Sequence, residues 1–191
     1  MKDLLDEIGS CTVCDSFFLH QPRPIVSISS SSKLLIIGQA PGRKVHESGI
    51  PWDDASGSNL RNWLNLPEDV FYDSSKVALV PMGFCYPGSG KSGDLPPRPE
   101  CAPLWHSKIL THCTSVKLTL LIGQYAQKYY LRERMQGNLT ETVKAFESYL
   151  PKHLPLPHPS PRNRIWMKKN QWFEMSLLPK LKTHIEKLNI V

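Results

Sequence analysis

The sequence predicts an α/β fold, a three-layer α/β/α sandwich around a central, mainly parallel four-stranded sheet. Two observations carry that expectation. Short apolar runs of strand length, bounded by Gly or Pro, recur along the chain, and stretches with helical spacing of apolar residues separate them. The runs are apolar throughout instead of alternating with polar residues. That marks strands buried on both faces, the condition of a parallel sheet covered by helices.

Taken in order, a short N-terminal helix carries Leu4, Leu5 and Ile8. A Ser-rich loop at 27–32 leads into Lys33-Leu-Leu-Ile-Ile-Gly38, the first strand. Val77–Val80 and Val116–Gly123 read as the second and third strands, and His153–Pro157 as the fourth. Helices are expected at Asn59–Leu66, at Glu100–Cys113 with Leu104, Trp105, Ile109 and Leu110, and at Thr140–Leu150. The tail Arg164–Leu188 should pack as a final helix, bent or restarted at Pro179. No internal repeat or long linker divides the chain, so one domain over residues 1–191 is expected. Its 17 prolines gather after Gln21, in 87–103 and in 151–161, which predicts rigid, shaped loops. Sheets of this kind carry their chemistry on loops beyond the carboxyl ends of the strands.

The composition, 40% hydrophobic and 21% charged, excludes wholesale disorder. No stretch approaches the roughly 20 apolar residues that span a bilayer, and no export signal is visible, so a cytoplasmic monomer without membrane contact is expected. The formal net charge of +6 favours an anionic partner, because Lys and Arg gain affinity for a phosphate backbone by releasing its counterions. Five cysteines without an export signal argue against a disulfide framework and toward metal binding. Cys11 and Cys14 form a C-x2-C pair, and Cys85 and Cys101 are separated by fifteen intervening residues in a Pro/Gly loop. Four such thiolates could hold an iron–sulfur cluster or a tetrahedral zinc, or stay unliganded. Cys113 reads as a core residue.

Three loops carry the chemistry. Gly38-Gln-Ala-Pro-Gly42 follows the first strand directly and can present backbone N–H groups to a ligand. Gly49–Gly57 sets Trp52 beside Asp53 and Asp54, an aromatic able to stack on a flipped base next to carboxylates able to orient water. A core Trp followed by a helix-capping Asp is the plainer alternative. In His158-Pro-Ser-Pro-Arg-Asn163 a neutral imidazole can donate to a departing base oxygen as charge builds on it. The stiff turn after it can press into a groove, and Arg162 can meet phosphate or fill the space a flipped base vacates.

In this order and spacing, the GQAPG turn, the G-x-P-aromatic loop and HPSPRN resemble the paired motifs of the uracil-DNA glycosylase superfamily over nearly the whole chain. The first two loops are most similar to the iron–sulfur (family 4) class. HPSPRN resembles the loop of the single-strand-selective monofunctional enzymes. The resemblance implies that the backbone of Gln39 and Ala40 meets the base, that Trp52 stacks on it and that His158 steadies the leaving anion. It implies that Ser160, Pro161, Arg162 and Asn163 form a DNA-inserting loop. It also implies that Cys11, Cys14, Cys85 and Cys101 hold a 4Fe-4S cluster, with structural zinc as the alternative.

The sequence departs from the family pattern in two respects. Pro81 stands where that class has an Asn that reads the base edge, which leaves selection to other groups, with the backbone of Met82 and Gly83 expected in its place. Gln39 and Ala40 stand where acidic residues position water, so Asp54, whose placement is similar to a catalytic Asp of family 5, or else Asp53, is expected to take that role. The implied activity is a monofunctional glycosylase hydrolysing the N-glycosidic bond of uracil, hypoxanthine or xanthine in DNA and leaving an abasic site. No Schiff-base lysine for strand cleavage is evident. The alternative is a weak or inactive module of the same fold that binds damaged or single-stranded DNA.

Overall fold

The computed structural model of the chain describes residues 1–91 and 93–191. In chain order the elements are α1 (Lys2–Gly9), β1 (Leu34–Ile37), α2 (Arg43–Ser48), α3 (Ala55–Leu64), α4 (Glu68–Tyr72) and β2 (Val77–Leu79). A two-stranded hairpin of β3 (Ser89–Gly90) and β4 (Gly93–Asp94) precedes α5 (Cys101–His112). Then come β5 (Leu118–Ile122), α6 (Gly123–Leu131), α7 (Leu139–Lys144), β6 (His153–Leu156), α8 (Arg164–Lys169) and α9 (Leu178–Glu186).

The central sheet is ordered β2-β1-β5-β6 with every pair parallel. Strand side chains alternate between the two faces, and here both faces are covered. Leu34 and Ile36 point into one core with Leu60 and Leu64 of α3, Phe71, Phe173 and Leu181. Leu35 and Ile37 point into the other with Leu4 and Ile8 of α1 and with Trp105 and Ile109 of α5. All four strand residues are at most 1% exposed, which is why the run carries no polar position. Burial of each such side chain contributes about 1.5–3 kcal/mol. The predicted α/β/α sandwich is therefore what the chain forms.

Boundaries moved where local chemistry overrode periodicity. The helix expected from Asn59 starts at Ala55, because the Asp54 carboxylate accepts the Gly57 N–H at 2.8 Å and caps the first turn. The helix expected over Thr140–Leu150 is α7 followed by a 3-10 turn at Phe146–Tyr149. The tail breaks at Asn170 and not at Pro179. Asn170 leaves helical angles and its side chain bonds the Trp166 carbonyl and the Trp172 indole, whereas Pro179 sits in the first turn of α9, where no N–H is required. The loop expected between Cys85 and Cys101 contains the β3–β4 hairpin, with Ser92 outside the described residues. No helix among the described residues is long and apolar enough to cross a membrane.

Candidate active site

The parallel order brings the loops after β1, β2 and β6 to one edge of the sheet, and the loops after β1 and β2 are stapled together first. Met82 N–H donates to the Gly38 carbonyl at 2.9 Å and Gly83 N–H to the Gln39 carbonyl at 3.0 Å, prolonging the ladder past the strand ends. These two N–H groups, expected to read a base, are thus spent on the neighbouring loop. Gly83 lines the cysteine cavity instead. In this region Pro81 lines the cavity formed with the 38–42 turn.

Trp52 is held in an unusual position. Its backbone has φ of +59°, a left-handed conformation that costs a bulky residue free energy and is kept only where surroundings enforce it. Three contacts enforce it here. Tyr72 Oη donates to the Trp52 carbonyl at 3.4 Å, and Arg61 donates to Tyr72 Oη at 3.0 Å. Gly57 packs directly beneath the same carbonyl, so close that a Cβ there would lie 1.7 Å from the oxygen. The indole consequently lies over Gly38, whose missing side chain leaves room for it.

His158 enters from the loop after β6. Asn163 Nδ2 donates to the His158 carbonyl at 2.7 Å, and Asn59 Nδ2 of α3 donates to the Pro159 carbonyl at 2.9 Å. Asn163, expected to contact DNA, gives one amide N–H to shaping the loop, and Asn59 is a bracket that sequence reasoning missed. The imidazole centroid lies 5.9 Å from the Trp52 ring at a 30° tilt. Burial pushes its pKa below the ordinary imidazole value, and the nearby carboxylates of Asp54 and Asp94 pull partly the other way.

Together Gly38–Gly42, Trp52, Asp54 and His158 line a cavity open to solvent, with an apolar floor that includes Ile25, Leu79 and Pro81. Through Gln39, Ala40, Asp54 and His158 it is continuous with a larger cleft of about 1400 Å³. Ser160, Arg162 and the β3–β4 hairpin line that cleft, with the Arg162 guanidinium standing beside Gly93 of the hairpin. Of the two candidate carboxylates, Asp54 lines both cavity and cleft, while Asp53 is exposed and lines neither. Asp94 is a carboxylate that sequence reasoning missed. It accepts from Ser89 Oγ at 3.3 Å, and Ser89 Oγ in turn bonds Tyr86 Oη at 2.6 Å. Only the hairpin turn brings Asp94 to the cleft, and a Gly-rich stretch was the sole signal.

A buried pair supports the cavity floor. His106 Nε2 donates to the Pro81 carbonyl at 3.0 Å, which leaves Nδ1 to accept from Tyr130 Oη at 2.6 Å. Burial holds the His106 pKa at about 4, against an ordinary value of 6.5. Between those pH values the unfolded chain takes up a proton that the folded chain refuses, so stability falls as pH falls from 6.5 toward 4. Denaturant titrations across that range should show a loss of about 3 kcal/mol from this group, largely absent in His106→Gln.

Cys11, Cys14, Cys85 and Cys101 all line a separate cavity of about 440 Å³, and none is in a disulfide. Burial raises the Cys14 thiol and pushes Cys85 and Cys101 up to about 12, with neighbouring cysteines acting in the same direction. Phe84 N–H donates to Cys101 Sγ at 3.3 Å, and Arg98 stands beside Cys14. Among the described residues, no three His, Cys, Asp or Glu side chains stand in position around a single metal ion. Cys113 is buried in the core behind α5.

The family model described as the uracil DNA glycosylase superfamily matches residues 26–182, more than four-fifths of the chain. That span contains all three loops around the cavity, as well as Cys85 and Cys101.

Proposed function

The chain belongs to the uracil DNA glycosylase superfamily, and from that membership we propose that it is a monofunctional glycosylase that hydrolyses the N-glycosidic bond of uracil or another deaminated base in DNA. The observation that carries this reading is the half-buried imidazole of His158, its pKa pushed below the ordinary value by burial, in the wall of a cavity continuous with an open cleft.

A base turned out of the helix enters between the 38–42 turn and Trp52 and stacks on the indole. As the C1′–N bond breaks, its electron pair leaves with the base. His158 donates an N–H to the base carbonyl on which that negative charge gathers, as oxyanion-hole donors do. A water oxygen then bonds to C1′, its surplus proton passes to solvent, and the base anion is protonated after release. Asp54 orients that water and its charge favours the sugar cation.

Asp54 also caps α3, so its two roles are separated by substitution. Asp54→Asn keeps an acceptor for the Gly57 N–H and should leave the melting temperature nearly unchanged while excision drops by about one to two orders of magnitude. Unaltered excision would remove Asp54 from the mechanism. Pro81 and the apolar floor offer the base edge no donor, so selection falls to the Gln39–Ala40 backbone, the Gln39 amide and His158.

The test is direct. Oligonucleotides carrying uracil, hypoxanthine or xanthine are incubated with the protein and treated with alkali, which cuts only at abasic sites. Cleavage at the modified position supports the glycosylase, and the base that gives it names the preference. Tight binding with every strand intact would favour a DNA-binding module of the same fold.

We assign the four-cysteine cavity to a structural 4Fe-4S cluster. Cys11, Cys14, Cys85 and Cys101 line it together, and four thiolates are the ligand set such a cluster takes. Burial raises three of these thiols, Cys14, Cys85 and Cys101, which are poorly placed to ionise without a cationic partner. When bound, such a cluster supplies cross-linking: it ties the N-terminal turn to the 81–85 loop, whose Gly83 N–H holds the Gln39 carbonyl. Aerobically or anaerobically purified protein should contain about four iron and four sulfide per chain. One zinc and no sulfide would overturn the assignment.

A further inference from the structure

We propose that the groove behind the 158–163 loop seats the DNA strand opposite the extruded base, so that the loop is a partition between the two strands of a duplex. This rests on the glycosylase reading for the identity of the damaged strand. Successive residues of the loop face opposite ways. His158, Ser160 and Arg162 line the cleft that leads to the base cavity, whereas Pro159, Pro161 and Asn163 line the groove on the other side. Only Ser160 borders both. The ridge is therefore one chain thick, and two prolines with the Asn59 and Asn163 brackets stiffen it.

The groove, about 1180 Å³, has an aromatic and apolar wall from Trp63 and Met167 and a cationic rim from Arg164 and Lys168. These two cations stand four residues apart on α8 and so share a face. Arg162, Arg164, Lys168 and Lys169 are all exposed, and none forms an ion pair among the described residues. Glu174 is the one carboxylate lining the groove. Two exposed cations, Arg164 and Lys168, on the rim of a channel beside an inserting ridge are complementary to a phosphate backbone. The damaged strand already occupies the cleft side, so a backbone on the far side belongs to its complement.

The test compares wild type with Arg164→Gln/Lys168→Gln by fluorescence anisotropy on a uracil-containing single strand and on the same strand paired with its complement, over a range of salt. Melting curves check that both proteins are folded. The double variant should bind duplex about tenfold more weakly, with the slope of log affinity against log salt shallower by about two, and bind the single strand as wild type does. Excision from the single strand should likewise be unchanged. Equal losses on both substrates, or undiminished duplex binding, would overturn the proposal. A wild-type protein that binds duplex but excises nothing would refute the glycosylase reading alone, because the ratio of duplex to single-strand affinity still reports on the groove.

Discussion

Replacing His158 with Ala should lower excision by about 10² to 10³-fold while leaving affinity for uracil-containing DNA nearly unchanged, because the imidazole acts on charge that exists only as the bond breaks. The size follows from losing one donor at a developing oxyanion, about 3–4 kcal/mol of transition-state stabilisation. The effect depends on protonation in a defined direction. Burial holds His158 below the usual imidazole range, so the neutral donor persists as pH drops through 6.5. Wild-type activity should decline only at lower pH, when the imidazolium forms. Single-turnover excision rates measured across that range report both points. His158→Gln, which keeps an amide donor, should recover part of the loss. The bracket from Asn163 makes a milder version of the same argument: without it the ring loses its orientation but not its chemistry.

The second large effect lies outside the chemistry. Gly57→Ala should destabilise the protein by roughly 4–5 kcal/mol, at the far end of what single substitutions do, and abolish excision in whatever fraction stays folded. The reason is geometric. A methyl group at this position would stand 1.7 Å from the Trp52 carbonyl oxygen and 2.7 Å from the carbonyl carbon, which are backbone atoms without a rotamer to escape through. Either α3 or the Trp52 turn must move. Motion of the turn breaks the Tyr72 bond and withdraws the indole from Gly38. Thermal unfolding gives the stability loss, and fluorescence of a base analogue placed at the lesion shows whether a base still stacks against Trp52.

The sheet was legible in the sequence because its signal is local. Leu34–Ile37, Leu118–Ile122 and His153–Leu156 are buried on both faces, which makes their runs apolar except at Thr119 and His153. The three site loops were legible for a related reason: each follows a strand or precedes a helix and is marked by Gly or Pro. What escaped depends on partners far away in the chain. Nothing near Met82 announces that its N–H pairs with Gly38, and nothing near Asn59 announces that it reaches Pro159, 100 residues on. Asp94 reaches the cleft only because a two-residue ladder folds the 89–94 segment back on itself. Likewise, Pro179 looked like a helix break on its own, but the break followed from Asn170 bonding Trp166 and Trp172. The four cysteines expected to act together line one cavity, although spacing alone left their ligand open.

The most direct measurement is a structure of the protein bound to a duplex in which the target nucleoside is 2′-fluoro-2′-deoxyuridine, whose electron-withdrawing fluorine slows bond breakage and traps the complex. The base should lie between the 38–42 turn and Trp52, with an N–H of His158 within hydrogen-bond distance of a base carbonyl and Asp54 facing C1′. A base still stacked in the helix, or lodged where His158 cannot reach any of its oxygens, would contradict the account.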